Sequence, residues 1–151
     1  MNQHGTPVEI LLVEDNPGDA VLTREAFKNS KLLNAMHHVE DGVEAMAFLR
    51  QEGPYANRPR PDLVLLDLNL PRMDGREVLS AIKQDEQLKH IPVIILTTSN
   101  EEQDVLKAYH LHANCFIPKP LSLDRFFEVV RSIENFWLTV VRLPARAPRG
   151  A

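Results

Sequence analysis

Leu63-Val64-Leu65-Leu66-Asp67-Leu68-Asn69-Leu70-Pro71-Arg72-Met73-Asp74-Gly75 is the stretch whose reading decides the fold. The apolar run Leu63 to Leu66 suits a strand buried on both faces, the kind that fills the interior of a parallel sheet. The run ends on Asp67, which delivers a carboxylate to the strand's C-terminal edge. Pro71 and the Asp74-Gly75 pair then break the chain before a new helix. In open α/β sheets that edge is where ligands bind. An acid parked there is either a loop cap or a reactive group, and this stretch alone weighs the two about equally.

Working outward, Val8 to Val13 reads as a first strand and runs into Glu14-Asp15. Asn16 suits a helix N-cap, with Pro17 at the first helical position. Ala20, Leu22, Ala26 and Phe27 supply the apolar side of that helix. Ala35 to Val39 is a second strand between the turn-like Asn34 and Asp41-Gly42, and Val43, Ala45, Met46, Phe48 and Leu49 suit a second helix. Gly53 to Pro61 is a loop by composition and exceeds the roughly two to six residues common in such connections. It reads as a tolerated surface insertion in preference to a recognition loop. Downstream, Glu77 to Lys83 forms a third helix and Pro92 to Leu96 another buried strand, which runs into Thr97-Thr98. Asp104 to His110 is a short fourth helix, and Cys115 to Ile117 a fifth strand followed by Pro118-Lys119-Pro120. Ser122 caps a last helix running from Leu123 to about Val140. The alternation predicts an α/β fold: a doubly wound, five-stranded parallel sheet with helices on both faces and right-handed crossovers. The expected organisation is an extension over 1–7, one domain over 8–141 and a disordered tail over 142–151.

The bulk numbers agree with one ordinary globular domain: 151 residues, 44% hydrophobic and 25% charged. A formal net charge of -4 without a concentrated basic face argues against a nucleic-acid partner. Cys115 is the sole cysteine, so neither a disulfide framework nor a CxxC motif is available. Met1 to Pro7 has no signal-peptide character, and no apolar run reaches the length of a membrane span. A cytoplasmic protein with no membrane partner is expected. The pairs His37-His38 and His110 with His112 are expected to be ordinary surface or turn residues, because neighbours one or two apart do not share a helical face.

Four strand ends carry polar residues: Glu14-Asp15, Asp67, Thr97-Thr98 and Lys119. In a parallel sheet these ends share one edge. Three carboxylates crowded there repel, and a divalent cation relieves the repulsion; an open site with oxygen ligands suits Mg²⁺. Lys119 adds a point charge able to hold an anionic group near Asp67, and Thr97 offers a hydroxyl. A carboxylate nucleophile, a metal and a lysine together make a phosphoryl-acceptor site, because phosphoryl transfer is mostly positioning and charge neutralisation. Each residue also has an ordinary reading. An acidic pair before a helix often only complements the helix dipole, and a strand-end threonine or a lone lysine is commonplace. Their joint placement on four strand ends is harder to dismiss.

Over roughly Glu9 to Val141 the chain resembles the receiver domain of two-component response regulators, a CheY-like, flavodoxin-like fold. The resemblance rests on Leu11 to Asn16, Leu65 to Gly75, Val93 to Thr97 and Lys119-Pro120. Within the family it is most similar to the single-domain regulators paired with bacterial and cyanobacterial phytochromes. The features behind that are the insertion around Pro54 to Pro61, the Asn69-Leu70-Pro71 segment and Ile133 to Trp137. The resemblance implies that Asp67 accepts phosphate from a histidine kinase, a phytochrome-type photoreceptor kinase in the closer comparison. It implies Asp15, Asp67 and the Asn69 carbonyl as direct Mg²⁺ ligands, with Glu14 acting through water. Lys119 would pair with the phosphoryl oxygens, and Thr97 and Phe116 would form the conformational switch. Glu14 departs from the more frequent aspartate, Thr98 from a smaller residue, and Pro118 removes a backbone donor from the fifth strand, all of which bear on phosphorylation lifetime.

Output is expected from the surface made by the fourth helix, fifth strand and last helix. The apolar arc of the last helix is about 140° by this reading, wider than the roughly 100° one core needs. Phe127, Phe136 and Trp137 are therefore candidates for a homodimer interface. A signalling protein that assists its own phosphorylation and dephosphorylation, without being a turnover enzyme, is the preferred reading. One alternative is an aspartate-nucleophile phosphohydrolase of haloacid-dehalogenase type, but Asn69 stands where its second carboxylate is needed. A phosphorylation-independent binding module is the other, and the intact Asp67, Thr97 and Lys119 argue against it.

Overall fold

Residues 7–97, 115–118 and 123–135 are described in the computed structural model of the chain. Strands β1 (Val8–Val13), β2 (Asn34–Val39), β3 (Leu63–Asp67), β4 (Val93–Thr97) and β5 (Cys115–Pro118) form one sheet in the order β2-β1-β3-β4-β5. Every pairing is parallel. Helices α1 (Pro17–Lys28), α2 (Gly42–Leu49), α3 (Gly75–Gln84) and the final helix α4 (Leu123–Asn135) cover it. The expected doubly wound sheet is what forms. The helix expected over Asp104 to His110 lies outside the described residues, as does the last helix beyond Asn135.

Alternation along the strands divides the core in two. Leu11, Val13, Val64, Leu66, Val93 and Ile95 face α2 and α3, where Phe48, Leu49, Val78, Leu79 and Ile82 meet them. Ile10, Leu12, Leu63, Leu65, Ile94 and Leu96 face the other way, toward Ala26 and Phe27 of α1 and Val130 of α4. A side-chain period of two explains why strands that read as continuous apolar runs supply both layers. Each fully buried Leu or Ile contributes about 1.5–3 kcal/mol, and all five residues of β3 are buried. Among the described residues no helix is long and apolar enough to cross a membrane.

Helix starts follow the local chemistry. Asn16 caps α1 by accepting from the Asp19 amide at 3.0 Å, with Pro17 next in line. Asp41 caps α2 by accepting from the Glu44 amide at 2.8 Å. α3 begins at Gly75, two residues earlier than the apolar spacing suggests, because Asp74 and Glu77 form a reciprocal capping box. Gly53 to Pro61 is more than a bland surface loop. A 3-10 turn (Gly53–Tyr55) opens it, Arg60 Nε donates to the Leu49 carbonyl at 3.0 Å, and the Tyr55 ring packs at a tilt on Phe48 with ring centroids 5.3 Å apart.

The histidine expectation needs correction. His37 and His38 are half-buried residues of β2, not surface or turn residues. His37 Nε2 lies 2.7 Å from Glu9 Oε1, and its ring packs on Phe48 at 5.2 Å. His38 Nε2 lies 2.7 Å from the Glu14 carbonyl oxygen. Both find partners across the β1–β2 pairing, which a helical-face argument does not address. His110 and His112 lie outside the described residues.

Candidate functional site

The sheet order brings the acids together. β1 lies between β2 and β3, and the chain's strand order reverses across the β1–β3 contact, where open α/β sheets form a ligand crevice. Val13 pairs with Leu66, so the residues that follow, Glu14 and Asp67, leave the sheet side by side. Glu14 is 0% and Asp67 3% exposed, whereas Asp15 is exposed. One carboxylate oxygen from each of Glu14, Asp15 and Asp67 falls within 4.8 Å of the others. Two buried carboxylates at that separation repel by roughly a few kcal/mol even at an effective dielectric near 20, and burial adds a desolvation cost. Hard oxygen donors with one member open to solvent suit a divalent cation of the Mg²⁺ class.

Backbone hydrogen bonds steer this cluster. The Asn16 amide donates to Glu14 Oε2 at 3.1 Å, and the Glu14 amide donates to the Val39 carbonyl at 3.1 Å. The Asn69 amide donates to Asp67 Oδ1 at 3.1 Å, which turns the loop after β3 back over the Asp67 carboxylate. Asn69 itself is exposed. The Gly75 amide closes the loop on the Leu68 carbonyl at 3.0 Å. A Cβ at Gly75 would stand 2.2 Å from the Asp67 carbonyl oxygen and 2.6 Å from Leu68 Cα, so α3 starts hard against the end of β3.

The remaining expected residues divide by position. Thr97 ends β4 and pairs in register with Pro118, one step beyond the Asp67–Leu96 pair. Phe116 pairs with Ile95 on edge strand β5. The backbones of Thr97 and Phe116 therefore sit in the right strands. Lys119, Thr98, Phe136 and Trp137 lie outside the described residues. Phe127 is half-buried and packs against the cluster on the α1 side of the sheet, so much of its ring belongs to the core.

Four nearby residues escaped the sequence reading. His38 hydrogen-bonds the carbonyl of Glu14. Asp41, 9% exposed, caps α2 and takes Arg72 Nη1 at 3.2 Å. Arg72 lies in the loop after Asp67 and holds a left-handed φ of 67°, which costs a non-glycine residue about 1–2 kcal/mol. Tyr55 donates its hydroxyl to Glu44 Oε1. That bond, with burial of the ring and the Glu44 charge, pushes the phenol above its ordinary value. Asp41 was legible as a cap, since Asp41 and Glu44 stand three apart before an apolar run. The other three depend on partners far away in sequence.

Comparison with known proteins agrees with this geometry. Residues 10–131 match the description of the response regulator receiver domain. The response regulator Rcp1 of Synechocystis sp. (strain ATCC 27184 / PCC 6803 / Kazusa) is 51% identical over 144 residues, which cover 95% of this chain and 98% of that protein. The crystal structure of the phosphorylated cyanobacterial phytochrome response regulator RcpA matches with a TM-score of 0.81 at 54% identity, over 89% of this chain and 96% of that one. The Mn²⁺-bound form of Rcp1 gives a TM-score of 0.81 at 52% identity, over 91% and 99% of the two chains. An acid at the end of β3, an acidic pair beside it and a match over most of the chain lead to one conclusion: this protein belongs to the response regulator receiver domain family and is homologous to phytochrome response regulators.

Proposed function

We propose that Asp67 is the phosphoacceptor of a phosphorelay whose donor is the phosphohistidine of a phytochrome-type histidine kinase. The observation that carries this reading is the junction of β1 and β3, where Asp67 lies within 4.8 Å of the acidic pair Glu14 and Asp15. An Asp67 carboxylate oxygen attacks phosphorus, the new O–P bond forms as the P–N bond breaks, and the electron pair returns to the imidazole nitrogen. The turn from Asp67 to Asn69 holds the carboxylate in place for attack.

Asp15, Asp67 and the Asn69 carbonyl would hold Mg²⁺, with Glu14 acting through water; the chemistry of the three clustered carboxylates fits such an ion. Mn²⁺ in the Rcp1 structure supports a divalent cation here. When bound, the cation offsets negative charge on the carboxylates and the incoming phosphoryl group. Lys119 pairs with the phosphoryl oxygens. Thr97 moves toward the phosphoryl group and Phe116 turns inward behind it, which remodels the face formed with the last helix. That face carries a homodimer contact through Phe136 and Trp137, and Phe127 joins from its exposed side. The same site aids hydrolysis of the acyl phosphate, and the protein acts in the cytoplasm as a signal carrier, not as a turnover enzyme.

Native mass spectrometry with Mg²⁺ and a small phosphodonor tests the proposal. Wild type should gain a single phosphoryl adduct, and Asp67→Asn should gain none. An adduct of equal yield on the Asn variant would overturn the assignment.

A further inference from the structure

The loop between Asp67 and Gly75 is held from outside by residues that take no part in phosphoryl chemistry. Arg72 sits in it at φ 67°, a conformation that nothing in its own side chain favours. Its guanidinium reaches across to α2, 3.2 Å from Asp41 Oδ2 and 3.9 Å from Glu44 Oε2. Asp41 and Glu44 belong to one turn, since Asp41 caps the helix by accepting from the Glu44 amide. Tyr55, from the insertion that begins at Gly53, donates to the other oxygen of the Glu44 carboxylate. Its ring is fixed in turn by tilted packing on Phe48. Backbone packing closes the same seam: a Cβ at Gly42 would stand 2.1 Å from the carbonyl oxygen of Met73, the residue after Arg72. The helix start, the insertion and the acceptor loop thus form one contact.

We propose that Arg72 is a positioning residue for the acceptor site, and that Tyr55 makes the insertion part of the same device. Clamped to Asp41 and Glu44, Arg72 keeps the Leu68–Met73 backbone in the shape that presents Asn69 beside Asp67, so the metal ligands are ordered before the ion arrives. The inference rests on the metal-assisted acceptor reading above. It assigns the insertion a role in the site's affinity, where the sequence favoured a tolerated surface loop over a recognition loop.

The sign of the effect separates this device from simple electrostatics. Removing a cation near a Mg²⁺ site should tighten Mg²⁺ binding through space, whereas loss of a positioning residue should weaken it. Losing such an outer contact typically costs 10–100-fold in metal affinity. The test is calorimetric titration of the full chain with Mg²⁺ alone, with thermal unfolding of every variant recorded alongside. Arg72→Gly removes the guanidinium while leaving a residue that adopts positive φ without strain. It should bind Mg²⁺ about 10-fold more weakly than wild type, near the low end of that range because the Arg72 contact is half exposed. Arg72→Lys should recover part of the loss. Tyr55→Phe keeps the packed ring and should weaken binding by about 3-fold, the mark of losing one of several supporting contacts. Combined with Arg72→Gly, it should add little. Unchanged or tighter binding by Arg72→Gly overturns the positioning role, and full additivity in the double variant overturns the part assigned to Tyr55. If wild type itself fails to bind Mg²⁺, or Asp15→Asn binds as well as wild type, the acceptor-site reading fails and this inference falls with it.

Discussion

Asp67 stands apart by placement more than by type. It is 3% exposed at the end of a strand whose other four residues are also buried, and the next strand delivers Glu14 beside it. The glycine that starts α3 belongs to the same arrangement. Gly75 has no room for a methyl group, since the nearest atoms are the Asp67 carbonyl oxygen at 2.2 Å and Leu68 Cα at 2.6 Å, both backbone. Backbone atoms yield less readily than a side-chain tip, so Gly75→Ala should destabilise the fold by about 1–3 kcal/mol. It should also lower the rate of phosphoryl transfer by displacing Asp67. Urea unfolding checks the first effect and single-turnover phosphorylation the second; full stability with normal transfer would show that the loop shifts at no cost. The sequence marked Asp67 and Gly75 because both sit at a break in an apolar pattern. It did not mark Arg72, because a left-handed arginine has no local signature and its partners Asp41 and Glu44 are about thirty residues away.

At the level of the element, caps and periodicity carry most of the information. Asn16, Asp41 and Asp74 each accept from an amide in the first turn of their helix, and each was readable from its neighbours in sequence. The capping box at Asp74 also sets where the loop after β3 ends, because α3 begins at the next residue. Asp74→Ala should therefore cost about 1 kcal/mol, visible as a lower denaturation midpoint with an unchanged slope. A larger loss, or a changed slope, would mean that the cap also supports the loop through Arg76, whose Nη1 lies 3.3 Å from Asp74 Oδ2. The β2 strand shows where element-scale reasoning fails. Its His37-His38 pair is polar and offers no alternation, yet both rings lie half-buried because Glu9 on β1 and the Glu14 carbonyl just past its end receive them. Spacing rules for helices say nothing about a partner across a sheet.

For the molecule as a whole, two layers of helices on one parallel sheet leave the C-terminal edge of the strands as the place where separated segments meet. The homodimer expected through the last helix belongs to this scale. Val130 is 3% exposed and packs with Ala26 and Phe27, which accounts for one side of the final helix, while Phe127 is only half-buried. Trp137→Glu should convert dimers to monomers in native mass spectrometry. An unchanged mass at the same concentration would count against the interface, and a wild-type monomer would remove it.

The sequence by itself determined the strands, the start of α1, the two-sided burial of β3 and the acid at its end. These follow from short-range rules: a period of two or 3.6, a cap within one turn, a break at proline or glycine. It also identified which residue types stand at strand ends, and so the class of chemistry they could perform together. Only the tertiary structure decided that β1 lies between β2 and β3, which sets Glu14 and Asp15 against Asp67. The clamp of Arg72 on α2 and the anchoring of the insertion by Tyr55 were settled at the same level. The physical reason is that periodicity specifies which face of an element is buried, but not which element it is buried against. That choice is made by packing and hydrogen bonding among groups far apart along the chain.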